Sequence, residues 1–223
     1  MAIVTINGQR GSGAPEIGME VAARLGYTYL DRQVLGEAAK RLGTTEEVLE
    51  AKENPAISGP RVLSALTRII NRMGASGALG DPFSPFGLSQ DYRELMAGRA
   101  AGSLHIDDDQ FLEATVEVIR DLADSGEVVI VGRAGNVILR NHPDALHVGL
   151  VSENESRAEV VALREGITTE EATLLMEGAE QARLEYFRRY FNVEADDPMG
   201  FHLMLNTHLL PRKRIVDIIA GSL

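Results

Sequence analysis

The 223-residue chain sets 33 acidic residues against 22 basic ones, a formal charge of −11, so its long-range field repels polyanions and nucleic acid is not an expected partner. It contains no cysteine, which excludes a disulfide framework, thiolate metal sites and a cysteine nucleophile. Residues 1–9 lack the basic start and long apolar run of a secretory signal, and no stretch approaches ~18 consecutive apolar residues, so the expected address is cytoplasmic, without membrane contact.

In chain order, "AIVTIN" is a short β-branched apolar run that stops at the glycine-rich "GQRGSGAPEIG", after which Ile17, Val21, Ala22 and Leu25 recur at helical spacing. This predicts strand, loop, helix. A second short run, Tyr27 to Leu30, leads into a helical pattern through Val34, Leu35, Ala38 and Leu42, and Thr44 with Glu47 forms a capping-box pattern for a helix over 45–52. Between residues 54 and 106 prolines and glycines accumulate, and only 61–73 and 91–100 look helical. That segment reads as an insertion or mobile cover, with a poorly ordered loop or a homo-oligomer contact as equal alternatives.

Asp107, Asp108 and Asp109 immediately precede the periodic segment 111–123, where helix capping and dipole compensation explain them more cheaply than a metal. "EVVIVGRAG" is so continuously apolar that a strand covered on both faces is expected, and residues 146–151 form another such run. Ser152 with Glu155 gives a capping-box pattern for a helix to Glu165, and Thr168 with Glu171 gives one for a charged helix reaching Tyr190. "HLMLNT" and residues 212–220 read as a last strand and a closing helix. Strands separated by helices of these lengths predict an α/β fold with a central parallel sheet and right-handed crossovers.

In such a fold, ligands gather at the carboxyl ends of the strands, and the glycine-rich turn after the first strand is the usual phosphate seat. A P-loop reads GxxxxGK[ST]: glycines turn successive amides toward an anion, the helix adds its positive end, the lysine adds charge and the hydroxyl binds magnesium. Gly8 and Gly13 have that spacing, with Gly11 and Ser12 between them, but Ala14 stands where the lysine belongs and Pro15 where the hydroxyl belongs. Arg10, inside the loop, is the candidate replacement cation. Taken alone, the turn is open to two readings, a structural turn or a phosphate site. The five histidines are scattered without metal-ligand spacing, and no serine elbow or triad motif is present.

The segments "VTINGQRGSGAPEIGMEVAARLGYTYLDRQVL", "VVIVGRAGNVILRNHPDALHVGLV", "SENESRAEVVALREGITTEEA", "EQARLEYFRRYF" and "FHLMLNTHLL" together resemble the cytidylate kinases and the cytidylate kinase-like family. The resemblance implies a P-loop NTPase-type sheet in a single domain over 1–223, with the 54–106 insertion and a lid at about 152–192. It implies transfer of the terminal phosphoryl of ATP, with magnesium, to a nucleoside monophosphate such as CMP or dCMP. Gly8, Gly11, Ser12, Gly13 and Ala14 would cradle the donor phosphates. Asp31, Arg32, Arg133 and Arg157 would hold the acceptor, and Arg183, Arg133 and Arg10 would neutralise charge during transfer. Magnesium would be held chiefly by the nucleotide, with Ser12 the nearest hydroxyl. Family members commonly lack the P-loop lysine, so Ala14 does not exclude membership. Ala134, however, replaces the aspartate that reads the nucleoside in cytidylate kinases, and His202 stands where an aspartate is usual. These losses favour the rival expectation of a nucleotide- or phosphate-binding relative with little or no turnover. Arginines interleaved with glutamates on a helix are also open to a plainer reading as a solvated face, most of all Arg188 and Arg189.

Overall fold

A computed structural model describes residues 2–31, 34 and 108–223. Apart from Val34, the helices expected near 34–52 and the whole 54–106 segment lie outside the described residues, as does Arg32. Five strands form one parallel sheet: β1 (Ile3–Gly8), β2 (Thr28–Leu30), β3 (Val128–Val131), β4 (Ala145–Val151) and β5 (Leu203–Asn206), in the spatial order β2-β3-β1-β4-β5. The helices are α1 (Ala14–Leu25), α2 (Asp108–Ser125), α3 (Gly135–Ile138), α4 (Asn154–Glu165), α5 (Thr169–Phe191) and α6 (Arg212–Ala220). The expected parallel α/β architecture is present.

The sheet is apolar on both faces because alternate side chains of one strand point to opposite sides. Val128 and Ile130 of β3 join Ile3, Phe111, Val118, Ile119, Tyr186 and Phe187 on the α2 and α5 side. Val129 and Val131 join Val4, Ile6, Ile17, Val21, Ile215 and Ile219 on the α1 and α6 side. This two-sided burial is why the strand sequences run continuously apolar. Each fully buried Val or Ile is worth about 1.5–3 kcal/mol relative to exposure. The pairing is in register from Ile3 opposite Val128 to Ile6 opposite Val131, and from Ile3 opposite Ala145 to Gly8 opposite Leu150. The carboxyl ends of β1, β3 and β4 therefore share one edge, and the loops that follow them open on the same side.

Helix boundaries follow local chemistry with one exception. Gly26 and Gly166 close α1 and α4 in the left-handed conformation, at φ 73° and 66°, which glycine adopts without a Cβ penalty. At α5 the expected capping box forms in full: the Thr168 hydroxyl accepts from the Glu171 amide at 3.2 Å, and the Glu171 carboxylate accepts from the Thr168 amide at 3.0 Å. The analogous box expected at Ser152 does not form. α4 starts one residue later, with Glu153 as the N-cap and no side-chain cap bond. The Asn154 side chain, which could have capped nearby, accepts instead from Arg157.

His202 is occupied by the sheet itself. Its ring stacks on His147 with centroids 4.9 Å apart, its Nδ1 accepts from the His147 amide at 2.9 Å, and the Thr5 hydroxyl lies 2.8 Å from His147 Nδ1. Burial, with the neighbouring His202 second, pushes His147 down to about 4, so it is neutral at pH 7 and serves as a spacer between β1, β4 and β5.

Candidate functional site

The loop after β1 is built to leave amides free. Gly11 and Gly13 sit at φ 84° and 82°, conformations that cost an L-residue roughly 1–2 kcal/mol. The Ser12 amide bonds back to the Gln9 carbonyl at 3.0 Å, whereas the amides of Gly11, Gly13 and Ala14 have no acceptor among the described residues. The Ser12 hydroxyl is buried without a hydrogen-bond partner. It occupies the space above Gly8, where a Cβ would stand 2.4 Å from Ser12 Oγ. Three amides without acceptors at a helix N-terminus, with an orphaned hydroxyl beside them, fit a phosphate group. Pro15 lies in the first turn of α1, where its missing N–H costs no intrahelical bond.

α4 presses on this loop. A Cβ at Gly11 would lie 2.8 Å from the Arg157 carbonyl oxygen and 2.9 Å from its Cβ, and Arg157 Nη1 donates to the Arg10 carbonyl at 3.1 Å. Arg157 is buried, and its guanidinium also donates to Asn154. Its contact is thus with the loop backbone. Burial lowers its pKa, with Glu180 opposing and Arg183 adding to the fall, so Arg157 lies within electrostatic range of the α5 groups.

Arg10 projects toward the end of α4, where its Nη2 stands 3.7 Å from the Glu165 carboxylate. Glu165 also accepts from Arg164 Nε at 3.1 Å, and Arg164 Nη1 stands 3.7 Å from Glu16 in the first turn of α1. Charges alternate along this chain from the loop to the helix behind it. Burial brings Arg10 down to about 10, with Glu165 resisting and Arg164 assisting, and the group remains a cation at neutral pH.

The loop after β3 is of a different kind. Gly132, Arg133 and Ala134 take φ of 74°, 56° and 52° in succession, so two residues with side chains hold the left-handed conformation. Ala134 is wholly buried and Arg133 half-buried. The Gly132 amide bonds to the Ile6 carbonyl of β1 at 2.9 Å, and Asn7 at the end of β1 donates to Asn136 of α3, whose own amide reaches the Gly200 carbonyl at 3.3 Å. These bonds tie the two loops to a common polar floor. Asp31, just beyond β2, accepts from the Tyr29 hydroxyl at 3.4 Å, and β2 borders β3 in register through Leu30 opposite Ile130. Asp31 thus lies on the same edge as Arg133.

Arg183, on α5, is held by two carboxylates. Its Nε and Nη2 meet Glu180 at 3.2 and 2.6 Å, and Nη2 also meets Asp196 at 2.5 Å. Nη1 is buried without a partner. Burial works against the charge, but the hydrogen bonds and charges of Glu180 and Asp196 outweigh it and raise the pKa. The guanidinium is thereby fixed, with one donor edge uncommitted. Arg188, exposed and paired with Glu194 at 3.1 Å, fits the solvated-face reading.

The structure places Gly8, Gly11, Ser12, Gly13, Ala14, Asp31 and Arg133 along one sheet edge, and brings Arg157 onto the Arg10 carbonyl. Glu165, Arg164, Asp196, Asn7 and Asn136 had no motif to announce them. Their roles arise from packing between elements far apart in sequence. No group of three or more histidine, aspartate or glutamate side chains suited to a metal occurs among the described residues, nor is any described helix long and apolar enough to cross a membrane.

Comparison with known proteins fits this geometry. A cytidylate kinase from Sulfolobus acidocaldarius is 28% identical over 106 residues, covering 48% of this chain and 58% of that protein. One from Methanopyrus kandleri is 33% identical over 112 residues, covering 47% of this chain and 58% of that protein. The matches thus span less than two thirds of these relatives' length. A crystal structure of an uncharacterised protein from Eubacterium ventriosum shares the fold over 100% of this chain and 98% of that one, with a TM-score of 0.65 at 15% identity. The model of the cytidylate kinase-like family matches residues 3–209, and the chain belongs to that family.

Proposed function

We propose that the chain is a nucleoside-monophosphate kinase that moves the terminal phosphoryl group of ATP to CMP, dCMP or a related monophosphate. The observation that carries this reading is the pairing, on adjacent strands, of a loop with unbonded amides and a loop that delivers an arginine. Phosphoryl transfer needs little more than two anions held in line and their charge neutralised, so no protein nucleophile is required. The amides of Gly11, Gly13 and Ala14 and the Ser12 hydroxyl would take the donor phosphates. Arg133, with Asp31 on the same edge and Arg32 next to Asp31 in sequence, would hold the acceptor. Arg183 would neutralise charge spread over the equatorial oxygens, a task suited to a planar guanidinium. Arg157 acts through the loop backbone as a positioning residue. Magnesium, when bound with the nucleotide, would supply charge neutralisation for the transferring phosphoryl group, and the buried, unpartnered Ser12 hydroxyl is the loop group that would help hold it. The segment 152–192, comprising α4 and α5, is proposed as the lid, and the nucleotides are the proposed partners.

One observation favours a second reading. Ala14 and Pro15 supply neither the cation nor the hydroxyl that act on charge developing during transfer, and Arg10 is engaged by Glu165. On that reading the chain binds nucleotide with little turnover, since loss of groups acting on the transition state lowers rate more than affinity. The test is a panel of nucleoside monophosphates with ATP, monitored for diphosphate product, together with Arg10→Ala. Brisk CMP turnover that Arg10→Ala reduces at least tenfold, with ATP affinity nearly intact, identifies Arg10 as the replacement cation. Equal inertness of both proteins with every monophosphate, while both still bind nucleotide, establishes the binding reading instead.

A further inference from the structure

Tyr186 lies one helical turn beyond Arg183 on α5, so the two side chains share a face of the helix. The residue is 7% exposed, and its hydroxyl is buried with no hydrogen-bond partner among the described residues. The ring is locked by aromatic neighbours, Tyr190 at 5.2 Å, Phe191 at 5.8 Å and Phe187 at 6.0 Å between centroids. A phenylalanine would serve this packing equally well, as Phe187 and Phe191 do in the same cluster. The hydroxyl is therefore a cost to the chain alone, because a buried polar group without a partner forfeits its hydration.

Two further facts show what would satisfy it. Arg183 Nη1 is a second buried donor without a partner on the same face, while its other nitrogens are fixed on Glu180 and Asp196. The positive charge of Arg133, at the end of β3, acts on the Tyr186 hydroxyl. The Tyr186 hydroxyl and Arg183 Nη1 are thus two buried donors on one helix face without an acceptor among the described residues, and donors of this kind are the complement of an anion with several oxygens.

We infer that the Tyr186 hydroxyl is a binding group for the acceptor, donating a hydrogen bond to the phosphate of the nucleoside monophosphate alongside Arg133 and the open edge of Arg183. The inference rests on the kinase reading and adds to it a residue with no P-loop or arginine motif. Burial raises the hydroxyl's pKa, with Arg133 opposing and Tyr190 assisting, so the group keeps its proton and acts as a donor across the physiological range. It recognises the phosphate and leaves the base unread.

The experiment is calorimetric binding of CMP and, separately, ATP to the full chain, its Tyr186→Phe variant and its Arg133→Ala variant, with melting temperatures for each. Tyr186→Phe is expected to weaken CMP binding roughly tenfold to a hundredfold, as for loss of one hydrogen bond to a charged group. ATP affinity should stay within about twofold, and the melting temperature should be unchanged or higher, because an unpaired buried hydroxyl has been removed. CMP affinity within twofold of wild type for Tyr186→Phe, while Arg133→Ala binds more weakly, overturns the inference and leaves the acceptor site standing. A wild-type chain that binds ATP but none of CMP, AMP, GMP or UMP overturns the acceptor reading itself, and this inference with it.

Discussion

The two loops that open on the carboxyl edge of the sheet reach the left-handed conformation by opposite means. After β1 it is taken by glycines, Gly11 and Gly13; after β3 it is taken by Gly132 and then by Arg133 and Ala134, which have side chains. Glycine there is nearly free of steric cost and lets the backbone itself be the ligand. Arginine there costs roughly 1–2 kcal/mol but delivers a guanidinium to a fixed point. On the proposed reading the first loop, with Ala14 at the lysine position, works through amides, whereas the second presents a cation and tolerates strain to aim it. Backbone strain at a strand end is thus distributed according to which chemical group the site must present.

The sharpest way to break this contrast is Gly11→Ala. The new Cβ would meet the Arg157 backbone at 2.8 Å, which cannot yield as a flexible side chain would, and it would sit at φ 84°. Overpacking of about 1–3 kcal/mol adds to a left-handed penalty of about 1–2 kcal/mol. The expected result is a loss on the order of 3 kcal/mol in stability by denaturant titration, together with loss of ATP binding by calorimetry. Retention of both would show that the loop is neither pressed on α4 nor a phosphate site.

Arg133→Ala tests the other loop and should act on affinity above all. Removing one charge-assisted contact is expected to cost about 1.5–3 kcal/mol in CMP binding, with ATP affinity little changed. The strain remains, because alanine at φ 56° is no easier than arginine. If ATP and CMP affinity fell together, the division of labour between the loops would be wrong.

Much of the fold was legible beforehand. The strands announced themselves as unbroken apolar runs because α2 and α5 cover one face and α1 and α6 the other, and the box at Thr168 formed as written. Its twin at Ser152 has the same letters but failed, since Arg157 draws Asn154 to itself and the helix starts after Glu153. The glycine spacing pointed to the first loop, but nothing in "GRAG" revealed that Arg133 and Ala134 would both turn left-handed. The pairing of Arg10 with Glu165 was likewise out of reach, being 155 residues apart and set by how the end of α4 packs on the loop. Tyr186 carried no signal in the sequence, because an orphaned hydroxyl is a property of three-dimensional surroundings.

The smallest effect gives the cleanest control on the role of strain. β3 is flanked at both ends by left-handed residues: Glu127 before it, at φ 54°, and Arg133 after it, at φ 56°. Glu127 is exposed, and its carbonyl accepts from the Thr28 amide of β2 at 2.8 Å, a backbone bond that any residue can make. Its side chain therefore gains little from the strained conformation. Glu127→Gly removes a penalty of about 1–2 kcal/mol and adds back about 0.4–1 kcal/mol through the greater freedom of the unfolded chain. A net stabilisation of about 0.5 kcal/mol is expected in denaturant titration, with CMP and ATP affinities unchanged. Arg133→Gly relieves the same strain at the other end of the same strand but should lose CMP affinity as Arg133→Ala does. Should Arg133→Gly stabilise the protein and leave CMP binding intact, the left-handed arginine would be a tolerated accident of the turn, and the contrast between the two loops would reduce to one of glycine content.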